Sequence, residues 1–132
     1  PIRLSGDINN TPGIIVKGPE GETKLEKGVI VAQRHLHCSD EESRKLGVKH
    51  GQDLDIYING IRSALLNKVQ VRVDPSFRLA VHLDTDEANA LDVKPGDFGT
   101  ILKKCGFAFC GCFQLVGVHC GCPETLKNTI LL

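Results

Sequence analysis

Residues 35–51, HLHCSDEESRKLGVKHG, contain the most informative fold signals of this sequence. This segment runs from a strand containing two histidines, through a capped helical turn, to a Val-Lys-x-Gly turn. The stretch HLDTDEANALDVKPG, residues 82–96, repeats the same order of features. Two related strand–helix–turn units in one small chain predict a pseudo-symmetric barrel.

The helix signals inside these units are specific. Ser39 with Glu42 three residues later predicts a capping box at the start of the first helix. Gly47 suits the left-handed position that follows the last helical turn. The second short helix is expected from Thr85 to Leu91.

Short runs of branched residues, many of them alternating with polar residues, predict that the chain is mainly β. Strands are expected at residues 13–17, 22–26, 29–37, 53–58, 61–65, 69–73, 77–83 and 98–103. Asn59 and Gly60 lie between two of these runs and predict a β-hairpin. The expected fold is therefore mainly β, a small closed β-barrel of about six strands capped by short α-helices.

The composition excludes several classes of protein. The 132 residues are 41% hydrophobic and 24% charged, which is typical of a globular domain. Sixteen basic residues balance sixteen acidic ones, so no net field attracts nucleic acid. No apolar run approaches the roughly 20 residues of a membrane-spanning helix, so no membrane partner is expected. One cysteine, Cys38, in the first hundred residues indicates a cytoplasmic protein.

Three histidines form the main candidate site. His35 and His37 are two residues apart in a predicted strand, so their side chains leave the same face. His82 lies near the end of another predicted strand. If the two strands are neighbours, three imidazoles converge at one end of the barrel. Three imidazoles with an open position are typical of a catalytic zinc site, and Asp84 or Asp86 could hold a ring N–H.

Other interpretations of these residues stay open. A His-x-His pair in a strand is often surface decoration. Arg34 and Arg78 are suited to phosphate but are more simply explained as solvated strand residues. Cys38 beside His37 could form a nucleophile pair, although a small buried filler explains Cys38 better.

Several motifs together resemble the phosphate propanoyltransferase family, the zinc-dependent phosphotransacylases of propanediol-degrading bacterial microcompartments. They are VIVAQRHLH (29–37), LGVKHG (46–51), HLDTDEANA (82–90), and the opening PIRLSGD (1–7) with TPG (11–13). The resemblance extends over about residues 1–104. It implies a transferase that moves an acyl group between coenzyme A and inorganic phosphate.

The resemblance also implies roles for individual residues. Family members contain two similar β-barrels with two metal ions, usually zinc. His35, His37 and His82 match the second barrel's metal ligands. Asn89 matches the asparagine at the coenzyme A pocket, and Ser5 matches a connector serine near the coenzyme A sulfur. No catalytic residue beyond the metal site is assigned.

The resemblance divides the chain into three parts. Residues 1–13 match the inter-barrel connector and residues 14–104 the second barrel, so the chain is expected to be a carboxy-terminal fragment. Its missing first barrel would carry the second metal site and the phosphate-binding arginine. Residues 105–132 form a Cys-rich tail that matches nothing in the family and is expected to be non-native or an extension rather than a metal site.

The sequence supports one main function and one alternative. The chain is expected to act in the cytoplasm, within a microcompartment if the family's location applies, on acyl-CoA and phosphate. The alternative is a zinc- or CoA-binding half-barrel module without catalytic activity. Self-association of the chain is left open by the sequence.

Overall fold

The computed structural model describes residues 1–102 and the backbone of residues 129–131, and within these the protein is mainly β, as expected. The elements in chain order are β1 (Ile2–Arg3), β2 (Ile14–Gly18), β3 (Gly21–Leu25), β4 (Val31–Ala32), β5 (His35–Cys38), α1 (Asp40–Leu46), β6 (Asp53–Ile58), β7 (Ala64–Val73), β8 (Ala80–His82), α2 (Thr85–Leu91), β9 (Phe98–Leu102) and β10 (Thr129–Leu131). The cysteines of the tail and His119 lie outside the described residues.

Both predicted helices begin with a complete capping box. The Ser39 hydroxyl accepts from the Glu42 backbone N–H at 3.3 Å, and the Glu42 carboxylate accepts from the Ser39 N–H at 2.8 Å. At the second helix the cap is Asp84, whose carboxylate accepts from the Glu87 N–H at 2.7 Å. Each cap satisfies backbone donors that a helix start leaves unpaired.

The two helices also end alike. Gly47 and Asp92 both adopt the left-handed conformation, with φ of 67° and 55°. The next residue in each case donates its N–H back into the last helical turn, Val48 to Ser43 at 3.0 Å and Val93 to Ala88 at 3.1 Å. This is the Schellman arrangement, and it turns the chain sharply toward the following strand.

These matches define two structural repeats related by a shift of 45 residues, β5–α1–β6 and β8–α2–β9. Their strands pair around a pseudo-twofold axis. Leu36 pairs with Val81, its own equivalent, and Ile56 pairs with Ile101 in the same way. The predicted internal symmetry is therefore present in the hydrogen-bond register as well as in the sequence.

The repeats enclose one apolar core. The side chains of the axis pairs are buried between the curled sheet and the helices. The buried apolar residues are Leu36, Cys38, Leu46, Val48, Leu54, Ile56, Ile58, Leu66, Val69, Val71, Val81, Leu91 and Ile101. Because strand side chains alternate, Leu36 and Cys38 of β5 face this core, as do Val69 and Val71 of β7.

The barrel differs from the expected one. Residues 14–104 supply five strands to the curled sheet, in the order β8-β5-β7-β6-β9. The sixth position, between β8 and β9, is taken by β10, which pairs with β9 over three residue pairs but with β8 only at Leu131–Ala80. The result is a strongly curled half-barrel sheet whose two edge strands are bridged by β10. The expected closed barrel of six strands from residues 14–104 is not formed.

The hairpin β2–β3 lies within the range 14–104 expected to form the barrel. It forms a separate two-stranded sheet instead. Both strands are exposed along their whole length, including Ile14, Ile15, Val16 and Leu25. Local alternation cannot tell which sheet a strand will join, since that depends on distant partners.

Several predicted strand limits also change. Residues 61–63 lie before the strand. Residues 64–65 and 69–73 are parts of one strand, β7, which carries a bulge where Lys68 has a φ of 56°. Residues 29–37 are divided between β4 and β5, and the expected strand 77–83 is reduced to Ala80–His82. The predicted hairpin exists, but five residues connect Ile58 to Ala64, so Asn59-Gly60 is not a two-residue turn.

Among the described residues, neither helix has the length or apolar character needed to cross a membrane.

Candidate metal centre

The strand register brings the three predicted histidines together. In the antiparallel pair β5–β8, His35 lies directly opposite His82, and His37 lies opposite Ala80. Opposed residues share a face of the sheet. The intervening pair, Leu36 and Val81, points into the core. The histidines therefore lie on the outer face of the sheet, not at an end of the barrel as expected.

The three imidazoles form a compact cluster. One ring nitrogen from each residue lies within 4.8 Å of the others. Ring centroids are separated by 4.6 Å for His35–His37, 4.3 Å for His37–His82 and 5.0 Å for His35–His82. His35 is buried, His37 half-buried and His82 exposed. The cluster thus has a buried base and a side open to solvent.

His35 is oriented by a hydrogen bond. Its Nδ1–H donates to the backbone carbonyl of Gln33 at 2.8 Å. This contact fixes the tautomer in which Nε2 carries the free lone pair, the form that ligates a metal ion.

His37 supports the presence of a ligand more directly. Its Nε2 atom is buried and makes no hydrogen bond to the described residues. A buried polar atom without a partner is unfavourable, and a cation held by the three nitrogens would satisfy it. Three neutral nitrogen donors with one open side fit Zn²⁺ well.

The protonation state is consistent with metal binding. Burial, followed by the neighbouring His82, His35 and Arg72, lowers the pKa of His37 to about 4. Burial is also the largest cause that lowers the pKa of His82, ahead of His35 and Arg72. Both rings are therefore neutral near pH 7, and neutral imidazole is the form that binds metals.

The carboxylates expected behind the ligands serve another purpose. Asp84 caps α2, and Asp86 is exposed in its first turn. In the described part of the chain, neither carboxylate has a hydrogen bond to a histidine ring. The Gln33 carbonyl takes that role for His35 instead.

The alternative of a cysteine nucleophile is not supported. Cys38 is fully buried, on the face of β5 opposite the histidines. Burial is the largest cause that raises the pKa of its thiol, followed by Glu42 and Asp40. A protonated thiol in the core cannot attack a substrate at the surface.

The two arginines differ in their surroundings. Arg34 forms an ion pair with Glu87 at 2.8 Å, and both side chains are partly buried. Arg78 is exposed. Arg34 also lines a cleft of about 450 Å³ with Lys68 and Gln33, whose carbonyl holds His35. Asp84 and Glu87 also line this cleft, so its two cations face two carboxylates.

The two residues expected to bind coenzyme A are both accessible. Ser5 is exposed in the turn after β1, and Asn89 is exposed on α2.

Two residues beside the histidine cluster, Phe77 and Arg72, were not predicted from the sequence. The Phe77 ring stacks on His37, and the Arg72 guanidinium lies 5.8 Å from the centre of the Phe77 ring. Only the register of β7 beside β5, which pairs His37 with Arg72, could have identified the latter.

Comparisons with known proteins point to a single family. The sequence model of the family described as phosphate propanoyltransferase matches residues 1–94. The chain is 44% identical to the phosphate propanoyltransferase of Sebaldella termitidis over 103 residues, 78% of this chain and 49% of the relative. It is 47% identical to that of Citrobacter rodentium over 103 residues, 76% of this chain and 49% of the relative.

The chain spans about half the length of the curated relatives it matches. The matched range, residues 1–94, spans the positions of the three histidines and of both helices. On this basis the chain belongs to the phosphate propanoyltransferase family.

Proposed function

We propose that this chain is the second half of a phosphate acyltransferase. The reaction transfers an acyl group from coenzyme A to inorganic phosphate. A phosphate oxygen attacks the thioester carbonyl carbon, a C–O bond forms, the C–S bond breaks, and coenzyme A leaves as its thiolate. The observation that carries the proposal is the three-histidine cluster in a chain of this family.

The role of the cluster follows from its donor set. His35, His37 and His82 would hold one zinc ion, which when bound supplies a Lewis acid that stabilises negative charge on an oxygen or on the leaving thiolate. The hydrogen bond from His35 to Gln33 keeps one donor aimed at the site. The exposed side of the cluster, at His82, leaves room for an anionic substrate.

Further assignments belong to the same proposal. Residues 1–13 act as a connector and residues 14–104 as the second barrel. Asn89 and Ser5 bind coenzyme A, and a first barrel supplies the second metal and the phosphate-binding arginine. In the cleft beside Arg34, which is already paired with Glu87, Lys68 offers one positive charge to the phosphates of coenzyme A. The reaction takes place in the cytoplasm, inside a microcompartment where propanediol is degraded.

One observation favours a second candidate function. All three histidine donors come from this chain, so metal binding needs no other half. The chain alone would then be a zinc- or CoA-binding module without turnover.

A complementation experiment distinguishes these functions. The chain is mixed with the amino-terminal half of the Sebaldella termitidis relative, zinc, phosphate and propanoyl-CoA. Acyl phosphate is trapped as the hydroxamate, so cysteine thiols do not interfere. We expect product from the mixture and none after His35→Ala/His37→Ala. An active double variant would exclude the metal assignment, and zinc binding without product would favour the binding module.

A further inference from the structure

One ligand of the cluster is oriented differently from its neighbour. His35 is held by a hydrogen bond to Gln33, but His37 has no hydrogen bond to the described residues. The Phe77 ring instead lies against His37, with ring centroids 3.8 Å apart and planes inclined by 14°. Such a stacked contact restricts rotation of an imidazole about its last side-chain bond.

We propose that Phe77 is a positioning residue for the metal ligand His37. The stacked ring fixes the plane of the imidazole, and with it the direction of the ring nitrogen that His37 offers to the cluster. This inference rests on the proposed metal site. For His37, the stacked ring takes the orienting role that the hydrogen bond to Gln33 has for His35. Outer contacts of this kind determine metal affinity because they set the direction of a ligand's lone pair.

The chain around Phe77 is itself anchored. The Phe77 N–H donates to the Asp74 carbonyl at 3.0 Å, which closes a turn after β7. Two residues later, the Leu79 N–H donates to the Glu42 carboxylate at 3.3 Å. Glu42 is also the capping-box residue of α1. The segment that carries Phe77 is thus tied to the helix that directly follows the His37 strand.

A second contact acts on the same ring. Arg72 is registered beside His37 on the neighbouring strand, and its guanidinium lies 5.8 Å from the Phe77 ring centre. A cation at this distance is attracted to an aromatic face. Phe77 therefore has partners on two strands, which limits its own movement over the histidine.

Zinc binding to the full chain provides the test. Affinity is measured by competition with a chromophoric chelator for the wild type, Phe77→Leu, Phe77→Tyr and, as a matched control, Phe98→Leu, an exposed aromatic residue on β9. We expect Phe77→Leu to weaken zinc binding by about 10-fold or more. Phe77→Tyr keeps the flat ring and should stay within about 3-fold of the wild type, as should the control.

The cobalt(II) spectrum separates positioning from folding. Phe77→Leu should change the visible bands of the histidine-bound cobalt while far-ultraviolet circular dichroism stays the same. Wild-type zinc affinity and spectrum in Phe77→Leu, with binding lost in His37→Ala, would overturn the role of Phe77 but leave the metal site intact. A wild-type chain whose zinc binding does not depend on His37 would overturn both.

Discussion

The two repeats share a backbone but not a site. At positions related by the 45-residue shift, His37 matches His82, whereas His35 matches Ala80. The caps, turns and axis pairs are kept in both halves. The caps and turns that define the backbone therefore occur in both repeats. The candidate site differs between them at one position, where His35 corresponds to Ala80. With Ala80 in place of a fourth imidazole, one side of the cluster stays open.

The largest expected effect is the change in zinc affinity when a histidine ligand is removed or added. His82→Ala should weaken zinc binding by more than about 100-fold, since even changes behind the ligands cost 10–100-fold. Ala80→His should do the opposite, because its side chain would lie opposite His37 on the same face. Chelator competition measures both. A fourth histidine would also close the open position and abolish turnover in the complemented enzyme. Unchanged affinity in His82→Ala would contradict the comparison.

The core pair on the axis gives the next effect. Leu36→Ala should lower the free energy of unfolding by about 2–5 kcal/mol, because the side chain is fully buried. Val81→Ala should cost less, since fewer buried atoms are removed. Urea unfolding with chelator present measures both changes. A loss below about 1 kcal/mol for Leu36→Ala would show that the axis is not a packed core.

The histidines should make the metal-free protein sensitive to acid. Unfolded His37 binds a proton below its ordinary pKa of 6.5, but folded His37 does so only near pH 4. Stability should therefore rise with pH between about 4 and 6.5, and be lost as pH falls through that window. Unfolding midpoints at several pH values test this, with His37→Ala expected to flatten the slope. An equally steep slope in the variant would refute the assignment.

The two caps should contribute similarly. Ser39→Ala and Asp84→Ala each remove the side-chain acceptor of a capping box, and each should cost about 1 kcal/mol. Replacement by glycine should cost less at both positions. Thermal unfolding measures the four variants. A cost confined to one helix would mean that the repeats are not energetically equivalent.

The smallest expected effect is that of Asp92→Gly, at the end of α2. Asp92 adopts a left-handed conformation that glycine accepts more easily, so Asp92→Gly should stabilise the protein by a few tenths of a kcal/mol. Gly47→Ala should destabilise it by about 1 kcal/mol for the same reason. Destabilisation by Asp92→Gly would show that the aspartate side chain has a further role.

Local signals explain what the sequence predicted correctly. The capping box at Ser39, the left-handed Gly47 and the hairpin after β6 each depend on a few adjacent residues. The histidine cluster was predicted because alternation puts His35 and His37 on one face. Only the adjacency of His82 had to be assumed.

The features that were missed depend on distant partners. The hairpin β2–β3 has strand-like alternation, yet pairing decides that it stays outside the curled sheet. The contact of Phe77 with His37 requires the turn at Asp74 and the register of β5 with β8. No local pattern records such contacts, since they arise only when the sheet is assembled.

The most direct test is an anomalous diffraction map at the zinc edge, from crystals of the zinc-loaded chain. We expect a peak about 2.0–2.1 Å from one nitrogen each of His35, His37 and His82. Soaked crystals of His82→Ala should lose that peak. Zinc bound only by the cysteines after residue 104, or no peak among the three histidines, would exclude the three-histidine metal site.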